Sequence, residues 1–189
     1  MESTIMAKIE LNGIMIDLET TGINPGCAIL SIGAVQMFTD TLDGSEEFYG
    51  KIDVTSCHAV GLFDEPSSVA WWSRQPQDVR DEAYSGTLPI KDVLTMFSLW
   101  YKWRGDDLLA WGNGADFDLP ILTAAYAACD MEVPWKPYNG RCYRTLKSFF
   151  PEIRIRPRPA DMMHNALLDA RYQAGHCELL LEHFKEIAG

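Results

Sequence analysis

The chain alternates between short apolar runs and longer amphipathic stretches, and the order of the two predicts its layers. Gly13–Leu18 is short and apolar, as a buried strand is. Thr20-Thr21-Gly22 and Asn24-Pro25-Gly26 then mark a turn. Ala28–Phe38 predicts a second strand and Glu47–Ile52 a third, with Asp43-Gly44 as the hairpin turn between them. Three consecutive strands joined by short turns make an antiparallel meander. Helical patterns follow. Ser67 is placed to cap a helix carrying Val69, Trp71 and Trp72, and a longer helix covers about Ile90–Trp103. Asp107–Trp111 is a short apolar strand stopped by Gly112-Asn113-Gly114. Helices over Leu119–Cys129 and Arg141–Phe149 come next. Ile153–Pro159 is proline- and arginine-rich, hence extended and exposed, and a last helix covers Ala166–Ile187 with Asn165 as its N-cap. This order predicts an α/β sandwich with helices covering a mixed sheet. No repeat or low-complexity segment breaks it, so residues 1–189 read as a single domain.

Composition adds exclusions. The 189 residues are 47% hydrophobic and 23% charged, which suits a soluble globular protein with a sizeable core. There is no apolar run long enough for a membrane span, and Met1–Ile5 lacks the basic and apolar pattern of a secretory leader, so a cytoplasmic location is expected. The five cysteines (Cys27, Cys57, Cys129, Cys142 and Cys177) show no paired spacing, which points to free thiols and not to a zinc site. The net charge of −11 argues against a general nucleic-acid coat protein. Charge is uneven, however. Lys136, Arg141, Arg144, Lys147, Arg154, Arg156 and Arg158 are opposed only by Glu152 over that stretch. Each alone reads as a solvated surface cation; as a group they make a phosphate-steering patch.

The chemistry concentrates in three places. Asp17 and Glu19 lie two apart on the first strand and so face the same side. Two like charges at the end of an apolar strand repel and are costly to bury, a conflict that a divalent cation removes. Asp118 follows the glycine-punctuated turn and starts a helix, near a strand end where open α/β sheets build their sites. Asp116 competes for that role, but Asp118 directly follows Phe117 and leads into the apolar helix. His164 and Asp169 straddle the start of the last helix, which makes Asp169 rigid and leaves His164 on a more mobile segment, suited to a base. His58, His176 and His183 lack metal-ligand company and read as structural.

Taken in order, Asp17, Glu19, Asp118, His164 and Asp169 resemble the DEDD exonuclease superfamily, in the subgroup whose fourth motif carries histidine. Trp71-Trp72, Trp111-Gly112-Asn113-Gly114 and Arg141-Cys142-Tyr143-Arg144-Thr145-Leu146 resemble a branch with phage exodeoxyribonuclease A, exodeoxyribonuclease VIII-type prophage domains and actinobacterial exoribonucleases. The resemblance implies a ribonuclease H-like fold: a mixed five-stranded sheet, three antiparallel strands then parallel ones, flanked by helices. It implies a 3′–5′ exonuclease that uses two divalent ions, magnesium or manganese, and releases nucleoside 5′-monophosphates. Asp17 would bridge both ions, Glu19 and Asp169 would lie on the nucleophile side, Asp118 would support the second ion, and His164 would take the proton from water. Thr20 and Thr21 would contact the terminal nucleotide. Asn113, Phe117 and Arg144 are further substrate contacts on this reading. Many relatives carry an Asp-Thr pair where this chain has Arg144-Thr145-Leu146, so contacts there transfer less directly.

Most of the six tryptophans read as core. Trp71 or Trp72 is the expected base stacker, with Trp72 carried as the substrate contact, because adjacent helical residues do not easily face one core. The expected partner is the 3′ end of single-stranded DNA or RNA, with DNA favoured through the phage-like resemblance; a homodimer is expected from the relatives. A non-catalytic binding module would show a broken site, and no site residue is missing. An endonuclease of the same fold is disfavoured by the His-x-x-x-x-Asp ending.

Overall fold

Strand β1 (Gly13–Thr20) is apolar on both faces for most of its length because it lies mid-sheet with a helical layer on each side. The structure is a computed structural model and describes residues 12–38, 44, 46–105, 107–157 and 164–188. β1 pairs antiparallel with β2 (Ile29–Gln36), and β2 pairs antiparallel with β3 (Glu47–Lys51). On its other side β1 pairs parallel with β4 (Leu109–Gly112), and β4 parallel with β5 (Gly140–Cys142). The five-stranded order is therefore β3-β2-β1-β4-β5, as expected of a ribonuclease H-like sheet.

Alternation along β1 divides the core. Ile14, Ile16 and Leu18 pack with Val93, Leu94 and Phe97 of α4 (Ile90–Arg104) and with Ile121 and Leu122 of α5 (Asp118–Ala128). Met15 faces the opposite layer, where it meets Trp111 and the buried stripe Ala170, Ala174, Cys177, Leu180 and Leu181 of α7 (Ala166–Ala188). Asp17 and Glu19 share the face of Met15, so the pleat turns both carboxylates toward α7.

Several expectations shift. The helix foreseen over Arg141–Phe149 divides: Gly140–Cys142 pairs with β4, and only Tyr143–Phe149 is helical, as α6. Cys142 has extended backbone and its Sγ accepts from the Thr145 amide, so it ends the strand and caps the helix. Ser67 is not a cap. Glu65 holds that position, and Pro66 opens α2 (Pro66–Trp72), where a missing N–H costs nothing. Two helices had no apolar stripe to announce them. α1 (Val54–Ala59) buries only Cys57, and α3 (Gln77–Ala83) only Ala83. Asn165 does cap α7, its Oδ1 accepting from the Leu168 amide at 3.1 Å. The Asp43 turn residue, Arg158 and Pro159 lie outside the described residues, and 153–157 have no regular structure. All five cysteines are free; burial pushes the Cys27 and Cys57 thiols up to about 11 and raises Cys129 and Cys177 as well. Among the described residues no helix is long and apolar enough to cross a membrane.

One glycine fixes how α7 sits. Gly33 pairs with Asp17 across β1 and β2. A Cβ on it would lie 2.1 Å from the Ala166 carbonyl carbon and 2.3 Å from the Leu167 amide. These are backbone atoms of the first turn of α7, which cannot swing aside as a side chain can. Gly33→Ala is therefore expected to destabilise the protein by on the order of 2 kcal/mol through overpacking. Gly175→Ala, at an open position on the same helix, is expected to stabilise it by about 0.5–1 kcal/mol. Urea unfolding of the two variants checks both signs; a Gly33→Ala protein as stable as the parent would contradict the packing described.

Candidate active site

The end of β1 and the start of α7 meet across an open cleft of about 490 Å³. Asp17 and Glu19 enter it from the strand, and Asp169 enters from the first turn of α7. Oxygens of these three carboxylates lie within 4.8 Å of one another. Asp118 stands beneath them at the N-terminus of α5, only 1% exposed. Its Oδ2 accepts from the Asn113 amide at 2.6 Å. Its Oδ1 is buried without a hydrogen-bond partner. The glycine turn explains the placement: a Cβ at Gly112 would come within 3.0 Å of the Asp118 Cβ, so glycine leaves the room that Asp118 fills. Asp116 is exposed, whereas Asp118 is buried and close enough to Asp17 for its charge to raise that carboxyl, which favours Asp118 of the two.

This crowding has an electrostatic signature. Burial raises the Asp17 carboxyl well above the ordinary carboxylate range, and the charges of Asp118, Glu19 and Asp169 raise it further, against a lowering hydrogen bond from Gln173. Burial likewise pushes Asp118 up to about 6, opposed by the Asn113 amide. Both groups hold a proton more readily than an ordinary carboxylate does, a tendency that nearby positive charge would oppose.

Gln173 was not foreseen from the sequence. Its Nε2 donates to Asp17 Oδ1 at 2.6 Å and it is buried in the cleft wall. The available signal was its spacing, since Gln173 lies four residues after Asp169 and so shares its helical face.

His164 lies on the rim with a left-handed backbone (φ 64°), half-buried, its ring edge-on to Trp71 at 4.8 Å. Trp72 lies behind, 6.2 Å from the same imidazole. The two tryptophans divide differently from the expectation. Trp72 is buried at 3% exposure and its Nε1 donates to the Thr20 carbonyl at 2.8 Å, so it ties α2 to the end of β1 and presents no free face to a base. Trp71 is the half-exposed one. Thr20 lines the cleft, but its hydroxyl donates to the Gly22 carbonyl. Thr21 points elsewhere: it is buried and its hydroxyl donates to Asp64 Oδ1 at 2.6 Å. Asn113 and half-buried Phe117 line the cleft, while exposed Arg144 sits beside it and donates to the Asn113 carbonyl at 2.6 Å.

The other histidines are structural. His58 pairs with Asp64, and buried His176 joins the Tyr143 hydroxyl to the Ile153 carbonyl. The basic stretch is less uniform than its sequence. Lys136 is engaged by Asp107, and Arg141 donates to the Tyr138 and Gly140 carbonyls.

The geometry has counterparts among known proteins. The nuclease domain of 3′hExo, a DEDDh family member solved bound to rAMP, superposes with a TM-score of 0.61 over 93% of this chain and 94% of that one, at 14% identity. At that identity the likeness establishes the fold. No curated protein sequence matches. The family described as the 3′–5′ exoribonuclease Rv2179c-like domain matches residues 12–181, a span that includes every carboxylate of the cleft and His164. The chain therefore belongs to the Rv2179c-like 3′–5′ exoribonuclease domain family and is a 3′–5′ exonuclease, acting on nucleic-acid 3′ ends.

Proposed function

We propose that the chain removes nucleotides singly from the 3′ end of single-stranded RNA, with Asp17, Glu19, Asp118 and Asp169 as metal ligands and His164 as the base. The observation that carries this reading is the convergence of three carboxylates within 4.8 Å above a buried fourth, with an imidazole on the rim of the same cleft. The preference for RNA rests on the family's description as exoribonuclease; among the described residues nothing in the cleft favours the DNA expected from the phage-like resemblance.

The residues fit divalent cations. The donors are hard carboxylate oxygens, as magnesium and manganese require, and the Asp118 Oδ1 is buried with no donor to satisfy it. Two ions suit four carboxylates: Asp17, Glu19 and Asp169 form one cluster, and Asp118 is near enough for its charge to raise the Asp17 carboxyl. When bound, such ions lower the pKa of a water and draw negative charge from the leaving 3′ oxygen. The chain supplies the rest. His164 takes the proton of the attacking water, and its ring lies edge-on to Trp71 in the wall of the cleft. Gln173 fixes the rotamer of Asp17. Phe117 and Trp71 offer partly exposed rings to the terminal bases, and Thr20 and Asn113 border the same space. Trp72 and Thr21 act from behind, by holding the end of β1. A homodimer, expected from the resemblance noted in the sequence, is part of this proposal.

With 5′-labelled single strands and magnesium, the parent protein is expected to give a ladder shrinking from the 3′ end, faster on RNA than on matched DNA, and Asp17→Ala none. His164→Ala is expected to lower kcat by about 10²–10⁴-fold while metal still raises its Tm as in the parent, the split expected of a base and not a ligand. Equal rates on the two sugars would remove the RNA preference; no ladder at all would remove the exonuclease assignment of these residues.

The raised carboxyls also set a pH dependence. Without metal, the folded chain holds the Asp118 proton more tightly than the unfolded chain does. The unfolded group titrates near 3.8 and the folded one at about 6, so this contribution to stability is lost as pH rises through that window. The loss is on the order of 3 kcal/mol. In chelator, Asp118→Asn is therefore expected to be more stable than the parent at pH 7.5 but not at pH 4. Added magnesium is expected to raise the Tm of the parent at pH 7.5 more than at pH 5, and that of Asp118→Asn much less. Melting curves at these pH values decide it; an identical metal shift at both would contradict the linkage.

A further inference from the structure

A second depression of about 460 Å³ opens beside the catalytic cleft, between α6 and α7. Its walls carry Arg144, Lys147 and Arg154, and among the described residues no acidic side chain lines it. In a chain of net charge −11 such a concentration of cations is a local anomaly, and the exonuclease chemistry described above uses none of Lys147, Arg154 or the groove floor. The floor is firm. His176 is buried and uses both ring nitrogens, one with the Tyr143 hydroxyl at 2.7 Å and one with the Ile153 carbonyl at 2.9 Å, which pins α6 and the following segment to α7.

The groove continues the cleft. Along α7, Asp169 and Gln173 face the cleft, whereas Tyr172 and His176 face the groove, so one helix walls both. Asp169 and His176 are seven residues apart, roughly 10 Å along the axis. Arg144 bridges the two spaces, lining the groove while its guanidinium donates to the carbonyl of Asn113, a cleft residue. Half-exposed Tyr172 adds an aromatic wall.

We propose that this groove holds the backbone phosphates of the substrate strand a few nucleotides upstream of the scissile bond. The proposal rests on the exonuclease reading for the direction of the strand. Lys147 and Arg154 contact the phosphates, and Arg144 marks where the strand leaves the cleft. Cations that have no carboxylate partner in the groove among the described residues suit a polyanion, and a strand anchored in the cleft by its 3′ end must leave along one of its walls. The basic stretch noted in the sequence thus acts through Arg144, Lys147 and Arg154, which line the groove, whereas Lys136 and Arg141 do not; Arg154 Nε donates to the Pro151 carbonyl at 3.3 Å.

The test is the paired variant Lys147→Ala/Arg154→Ala, on two exposed side chains. In chelator, binding of a fluorescent single-stranded RNA long enough to cover cleft and groove is measured against salt. The variant is expected to bind about tenfold more weakly at low salt, with a salt slope shallower by about 1.4 for two lost phosphate contacts. With magnesium, kcat/KM for that RNA is expected to fall similarly, while turnover of a nitrophenyl ester of a nucleoside 5′-monophosphate, which fills the cleft alone, stays unchanged. Unchanged affinity and slope would overturn the proposal, as would an equal loss on the ester. A parent protein that binds RNA through these residues but cleaves neither substrate would sink the exonuclease residues' assignment and leave the groove standing.

Discussion

The first turn of α7 rests directly on the sheet at a strand position that has no side chain, and the cleft is measured from that contact. Gly33 stands opposite Asp17 in the register of β1 and β2. Because nothing projects there, the helix backbone comes down to van der Waals distance and carries Asp169 and Gln173 with it to the oxygens of Asp17. Any larger residue would lift the helix and with it one carboxylate of the cluster, the amide that orients Asp17, and the rim histidine that precedes the helix. The packing of the fold and the spacing of the site are one constraint here.

The site works against the stability of the chain that builds it. Four acids are brought together at the sheet's end, one of them almost fully buried, and burial and mutual repulsion raise the Asp17 and Asp118 carboxyls. A hydrophobic residue at any of these positions would serve the fold better. The surrounding scaffold compensates through two well-filled apolar layers and through tethers such as that from Trp72 to the Thr20 carbonyl. Strain of this kind is stored where function needs a strong, preformed attraction for cations.

The parts of the fold written in local pattern were legible in the sequence. The meander followed from three apolar runs and their turns, and the amphipathic period of the last helix showed from Ala166 onward. Of the residues proposed for the chemistry, Asp17, Glu19 and Asp118 stood out because they sit where an apolar segment has no use for charge, and the structure brings Asp17 and Glu19 together with Asp169. What escaped was set by tertiary contact. β5 is three residues of polar chain whose only claim to be a strand is its partner β4. α1 and α3 bury one residue each and so carry no stripe. The choice between Trp71 and Trp72, and the burial of Thr21 against Asp64, depend on how α2 and its preceding loop dock on β1, which no local spacing encodes.

The thiols have a practical consequence. Four of the five are buried in the core, where their ionisation is suppressed and alkylating reagents find no nucleophile. Cys142 is the partly exposed one, paired with Gly112 at the point where the turn toward Asn113 begins and next to the helix that carries Arg144 and Lys147. The native chain therefore offers a chemically addressable handle at the junction of cleft and groove. A fluorophore placed there would follow the passage of a strand without any cysteine having to be engineered in or out.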